Sequence, residues 1–225
     1  MSAERVWEET TLGQLYESGR KKLEESGVPD AALDARLLLL EAFDLNFASF
    51  LTRRDQPLFK QAIGGEEEIY RLKQAAEQYE QAVLARAERI PLQHLTGCQC
   101  FMGLEFKVNE WVLIPRQDTE TLVERVLEEN RDKNSAILDV CTGSGCIAIS
   151  LVKLGEYRSV TALDISKEAL KVAEANRERI LGEEKERLRL IKSDMFEGLE
   201  PKAQFDVIVS NPPLYPLRGH RRTGT

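Results

Sequence analysis

The stretch "AILDVCTGSGCIAISLVKL", residues 136–154, decides the fold. Its first five residues fit a short apolar strand, and "CIAISLVKL" continues as a helix. Between them Gly143 and Gly145 let the backbone approach a ligand, and the start of the helix offers unpaired N–H groups. The turn lacks the third glycine of the dinucleotide fingerprint, with Ala148 standing where that Gly or Ala would fall. Alone it is weak evidence, because many nucleotide-binding turns look similar.

Working outward, the same alternation recurs. "SVTALDIS" (159–166) reads as a strand and "KEALKVAEANRERI" (167–180) as a helix. "LRLIKSD" (188–194) and "FDVIVSN" (205–211) read as further strands. Strands separated by helices pair in parallel through right-handed crossovers, so the expected class is a layered α/β domain.

Ligands of open parallel sheets sit beyond the C-terminal strand ends, and each end here carries something suitable. Asp164 lies about twenty residues past the glycine turn, placed to accept from ribose hydroxyls. Asp194 could accept from an adenine amino group while Met195 lies against the ring. Either aspartate alone can also be read as a helix cap; together they describe an adenosine pocket. The fourth end carries Asn211-Pro212-Pro213, where two prolines fix consecutive φ angles and hold the Asn211 side chain and nearby carbonyls in place. An acceptor pair of that kind suits a planar NH₂ group whose lone pair must be aimed at an electrophile.

Upstream, residues 1–90 read as a small helical bundle. "TTLGQLYESGRKKLEESGVPD" puts Leu12, Leu15, Tyr16 and Leu23 near helical spacing, with Thr10 or Thr11 as cap and Gly27 as stop. A second helix starts after Pro29 and Asp30, and a third runs from Glu66 to Arg89, before Pro91. Residues 91–115 suggest a β-hairpin linker, since "FMGLEFKVNEWVLIP" (101–115) alternates, with Asn109-Glu110 between two runs. "DTETLVERVLEEN" (118–130) is helical, capped by Asp118 or Thr119 with Glu120 in the first turn.

The totals set outer bounds. The chain has 225 residues, 42% hydrophobic and 31% charged, enough for one large domain or two small ones. A net charge of −7 makes the whole molecule no electrostatic magnet for nucleic acid. No stretch reaches the roughly 18 apolar residues of a membrane span, and the charged N-terminus is unlike a secretory signal, so the expected location is the cytoplasm. Cys98, Cys100, Cys141 and Cys146 fit no metal spacing; the expectation is no metal, with the thiols acting as small buried hydrophobes.

The glycine turn, Asp164, "SD" and "NPP" at strand ends together resemble the S-adenosylmethionine-dependent amino-methyltransferases, marked by (N/D)PP(Y/F). "PLQHLTGCQCFMGLEFKVNEWVLIPRQDTETLVERVL" (91–127) narrows this. It resembles the HemK/PrmC family, glutamine methyltransferases of peptide chain release factors, which carry P-L-Q-Y-I-x-G and V-L-I-P-R-P-E-T-E in the same order. The resemblance runs from about residue 10 to residue 213. It implies a Rossmann-like methyltransferase sheet at 116–213, preceded by an all-α domain that grips the release factor. It assigns Cys141, Thr142, Gly143, Ser144, Gly145, Asp164, Asp194, Met195 and Asn211 to S-adenosyl-L-methionine. Asn211 and Pro212 would be catalytic, and Asn211, Pro212, Pro213 and Leu214 would receive the substrate glutamine of a Gly-Gly-Gln loop. Asn211 Oδ1 and the Pro212 carbonyl would accept the two amide N–H groups and aim the nitrogen at the methyl. The implied partner is a release factor, with no membrane, no direct nucleic acid and a monomeric enzyme. Cys141 stands where the family has glycine, and "PRQDTE" where it has "PRPETE".

The family motif is NPPY, but position 214 is Leu and Tyr215 comes one residue late. With a suitable choice of codons for the last twelve residues, removing one base turns "LYPLRGHRRTGT" into YIPSEVIEERG, restoring NPPY and the family's IPSEVI. Residues 214–225 are therefore expected to be out of frame, with His220 no catalytic base. The sheet would then lack three of seven strands and leave apolar surface exposed. Two other functions stay open: methylation of an exocyclic base amine in RNA or DNA, and a non-catalytic product that only binds.

Overall fold

Leu12, Leu15 and Leu23 recur at helical spacing and form the buried face of α1 (Leu12–Glu25). The computed structural model describes residues 9–61 and 64–213. The chain divides into two units, Met1–Thr96 and Gly97–Thr225. The reading of residues 214–225 lies outside the described residues.

In the first unit Thr11 caps α1 through a reciprocal pair with Gln14, worth about 1 kcal/mol. α2 (Ala31–Ala42) follows Asp30, whose side chain makes no cap bond. α3 (Phe47–Arg53), too short to show a period, was not visible in the sequence; Asn46 caps it by accepting from the Ser49 N–H. A 3₁₀ turn (Leu58–Gln61), α4 (Glu66–Ala87) and α5 (Leu92–Thr96) complete the unit, so the expected third helix is the fourth. Leu12, Leu23, Leu38, Leu39, Phe50 and Tyr79 fill the core. Gly19 is where α1 meets α4: a Cβ there would stand 1.9 Å from Tyr79 Oη.

The second unit opens on an antiparallel hairpin, β1 (Cys98–Phe101) and β2 (Leu104–Lys107). Its turn is Met102-Gly103, not Asn109-Glu110. Both turn residues take left-handed φ, 52° and 72°, as a two-residue I′ turn requires. The Asn109 signal marks a second turn, in which its Oδ1 accepts from the Trp111 N–H. α6 (Gln117–Glu129) starts one residue before the expected cap, with Arg116 at the N-cap position. Glu120 does not close a capping box there; it accepts from the Met102 N–H at 2.6 Å, tying α6 to the hairpin.

The α/β part then runs β3 (Ala136–Val140), α7 (Cys146–Gly155), β4 (Ser159–Asp164), α8 (Lys167–Leu181), β5 (Leu188–Lys192) and β6 (Val207–Ser210). All pairings are parallel, in the order β5-β4-β3-β6. Val140 sits opposite both Leu163 and Ser210, so β3 and β6 end level, while β4 runs one residue further to Asp164, paired with Lys192 at the end of β5. The last three strands stop one or two residues short of their expected ends. Ile149 and Val152 of α7 are buried in one core with Ile137, Ala162 and Leu188 of the sheet, the Ile, Leu and Val side chains each contributing about 1.5–3 kcal/mol according to size. β6 borders the described sheet, and its Ile208 is 59% exposed. Of the four thiols only Cys146 is buried; Cys100 is exposed, and the expectation that all four are buried fails because the others lie at a strand edge and in a turn.

Candidate active site

The sheet order reverses at β3, with β4 on one side and β6 on the other, and a crevice opens at such a point beyond the strand ends. Every site residue expected from the sequence up to Pro213 lies at one of these ends. Leu214 lies outside the described residues.

The turn after β3 is built on left-handed backbone. Gly143 and Gly145 take φ of 57° and 81°, and a Cβ on Gly143 would meet nothing within 4 Å, leaving backbone open to a ligand. Cys141 is also left-handed at φ 64°, a conformation that costs an L-residue about 1–2 kcal/mol. Burial pushes its thiol above the usual range, as do the nearby carboxyls of Asp164 and Asp139.

Beneath the turn lies Asp139, fully buried. The Thr142 hydroxyl donates to its Oδ2 at 2.6 Å, while Oδ1 makes no hydrogen bond of good geometry. Burial pushes this carboxyl up to about 7, with a smaller upward contribution from Asp164. The Thr142 hydroxyl and the Ala148 N–H at the start of α7 pull the other way. Sequence reasoning passed over Asp139, although an acid inside the apolar run "AILDV" of a parallel strand has to be buried. Asn176, with no exposure, was missed as well. Its Nδ2 donates to Ser144 O and Lys107 O, and its Oδ1 accepts from the Lys107 N–H, joining the turn to the hairpin. Its signal was a polar residue on the helix face carrying Ala169, Val172 and Ala173.

Asp164 ends β4 and reaches back to the turn. Its Oδ2 accepts from the Gly143 N–H at 2.8 Å, and its Oδ1 from the Ser166 N–H at 2.9 Å. Each oxygen keeps a second lone pair, and the half-buried carboxylate is ready to take a vicinal diol. Past β5, the Ser193 N–H bonds Asp164 O, and the Ser193 hydroxyl donates to Met195 O and accepts from the Gly198 N–H. That local network sets the left-handed Met195, which with Asp194 stays exposed beside the Asp164 strand end.

At the end of β6 the Ser210 hydroxyl donates to Val140 O at 2.7 Å, locking the strand end against the turn. The half-buried Asn211 donates its Nδ2 to Thr119 Oγ1 at 3.0 Å, and its Oδ1 has no partner among the described residues. Pro212 and Pro213 are exposed.

A glycine turn, a diol-ready carboxylate and an Asn-Pro-Pro corner at the ends of a parallel sheet define a Rossmann-like methyltransferase, preceded in the sequence by a helical unit. Residues 117–222 match the Methyltransferase small domain family, and residues 14–97 match the PrmC N-terminal domain. The chain is 41% identical over 206 residues to the release factor glutamine methyltransferase of Koribacter versatilis (strain Ellin345), covering 90% of this chain and 67% of that protein. It is 36% identical over 205 residues to that of Leptospira interrogans serogroup Icterohaemorrhagiae serovar Lai (strain 56601), covering 90% and 67%. To that of Bacillus subtilis (strain 168) it is 38% identical over 209 residues, covering 90% and 66%. The chain belongs to the release factor glutamine methyltransferase family. It spans about two thirds of the length of these relatives.

Proposed function

We propose that the protein transfers the methyl group of S-adenosylmethionine to the side-chain amide nitrogen of the glutamine in a release factor's Gly-Gly-Gln loop. The residues present fit the cofactor. Asp164 offers one open lone pair on each oxygen to ribose hydroxyls, the open Gly143 backbone admits close approach, and Asp194 and Met195 would meet the adenine. When bound, the cofactor supplies a methyl group already activated on a sulfonium.

The rest is the work of this chain's own residues. An amide nitrogen is a poor nucleophile because its lone pair is delocalised into the carbonyl. Asn211 Oδ1 and the Pro212 carbonyl accept its two N–H bonds, aim the nitrogen and stabilise the positive charge that grows on it. The observation that carries this reading is the Asn211–Thr119 hydrogen bond, which spends the amide's donor end and leaves its acceptor end free at the strand terminus. The helical unit holds the release factor. A cytoplasmic location and a monomeric state go with this reading; among the described residues no helix is long and apolar enough to cross a membrane.

The test is methyl transfer to a release factor, followed by mass spectrometry, with Asn211→Ala beside the wild type. Turnover should fall by about 100-fold while cofactor affinity changes little. Equal losses in both, or transfer to RNA or DNA instead, would overturn the assignment.

A further inference from the structure

The segment "PRQDTE" (115–120) stands out in the sequence, and of its residues the mechanism above uses Thr119 alone, as the hydrogen-bond partner of Asn211. Its Thr119 is the third residue of α6, only 8% exposed, and meets the Asn211 amide across 92 positions of chain.

An asparagine amide can rotate by half a turn about its last bond at little steric cost, exchanging acceptor for donor. At this corner the exchange matters. An incoming amide nitrogen brings two N–H donors, so an Asn211 presenting its own NH₂ would oppose donor to donor. Something must therefore choose between the two orientations. The backbone fixed by Pro212 and Pro213 cannot do so, because the choice lies in the side chain's terminal torsion.

Resting on the functional reading above, we infer that Thr119 is a positioning residue that holds the Asn211 amide in the orientation presenting Oδ1 to the substrate. Its hydroxyl oxygen engages Nδ2, and the opposite end, Oδ1, is left as the acceptor. The residue that carries the hydroxyl is itself held in place. Thr119 is buried, and its N–H bonds Arg116 O at 2.9 Å. The next residue, Glu120, ties the helix start to the hairpin through the Met102 N–H, while Val123 and Val126 bury the following turns. The helix start thus serves as a rigid fence behind the catalytic amide.

The experiment compares Thr119→Val, which keeps the shape and removes the hydroxyl, with Thr119→Ser, which keeps the hydroxyl. The first readout is the Asn211 side-chain NH₂ pair in a ¹H–¹⁵N spectrum, assigned by its loss in Asn211→Ala. In Thr119→Val the bonded proton should lose its downfield position, and in Thr119→Ser it should keep it. The second readout is catalysis: Thr119→Val should lower kcat by about tenfold with KM and cofactor affinity within about twofold, while Thr119→Ser stays within about threefold of wild type. An NH₂ pair unmoved in Thr119→Val, a Thr119→Ser as impaired as the valine variant, or a cofactor affinity that falls with kcat would each overturn the inference. A wild-type protein that methylates no release factor would overturn the functional reading alone, and the Asn211 resonance would still decide this one.

Discussion

Replacing Asp139 by Asn isolates the electrostatics of the carboxyl beneath the glycine turn. Asparagine has nearly the same shape and its Oδ1 still accepts the Thr142 hydroxyl, but it carries no charge at any pH. In the folded protein burial pushes the Asp139 carboxyl from an ordinary 3.8 up to about 7. Between those values the folded state keeps a proton that the unfolded chain has released. The stability linked to that proton is complete below the ordinary value and is lost as pH rises through about 7. A gap of about three pH units corresponds to about 4 kcal/mol in all. Roughly 2–3 kcal/mol of this should disappear between about pH 5 and about pH 8 in the wild type and not in Asp139→Asn. Urea unfolding of both proteins at the two pH values measures it, because groups that titrate alike in both cancel in the difference. The variant should gain on the wild type by about 2–3 kcal/mol from the lower to the higher pH. A difference constant to within about 0.5 kcal/mol would refute a protonated Asp139 under the turn.

Cys141→Gly should raise stability by up to about 1 kcal/mol, since relief of the left-handed strain exceeds the extra flexibility of an unfolded glycine; a lower urea midpoint would contradict that. Gly19→Ala should cost about 2–3 kcal/mol by driving a methyl into the buried Tyr79 ring. Tyr79→Phe, which removes a buried hydroxyl without a partner, should be close to neutral alone and should recover part of that loss in the double variant. Strict additivity of the two changes would show that α1 and α4 do not meet as described.

The parallel sheet was legible because its strands are continuous apolar runs. β3 was read with its bounds intact, and Asp164, Asp194 and Asn211 were found by looking where such strands end. What escaped were features settled by contacts distant in sequence. The hairpin turn falls on Met102, a residue seldom left-handed, while Asn109 nearby offers a more familiar turn signal. Glu120 and Thr119 look like ordinary helix-start residues, and only the fold reveals that one serves the hairpin and the other Asn211. Asp139 and Asn176 are polar residues at core positions, visible to a search for breaks in the apolar pattern but not to a search for known motifs.

Asp164 is engaged at both oxygens by the protein's own amides. A nucleoside bound there as proposed would meet a side chain whose rotamer is chosen in advance, with only second lone pairs left to fill. Little internal motion is then surrendered on capture, and observed association rates should climb linearly with ligand concentration, without the plateau of a rearranging seat.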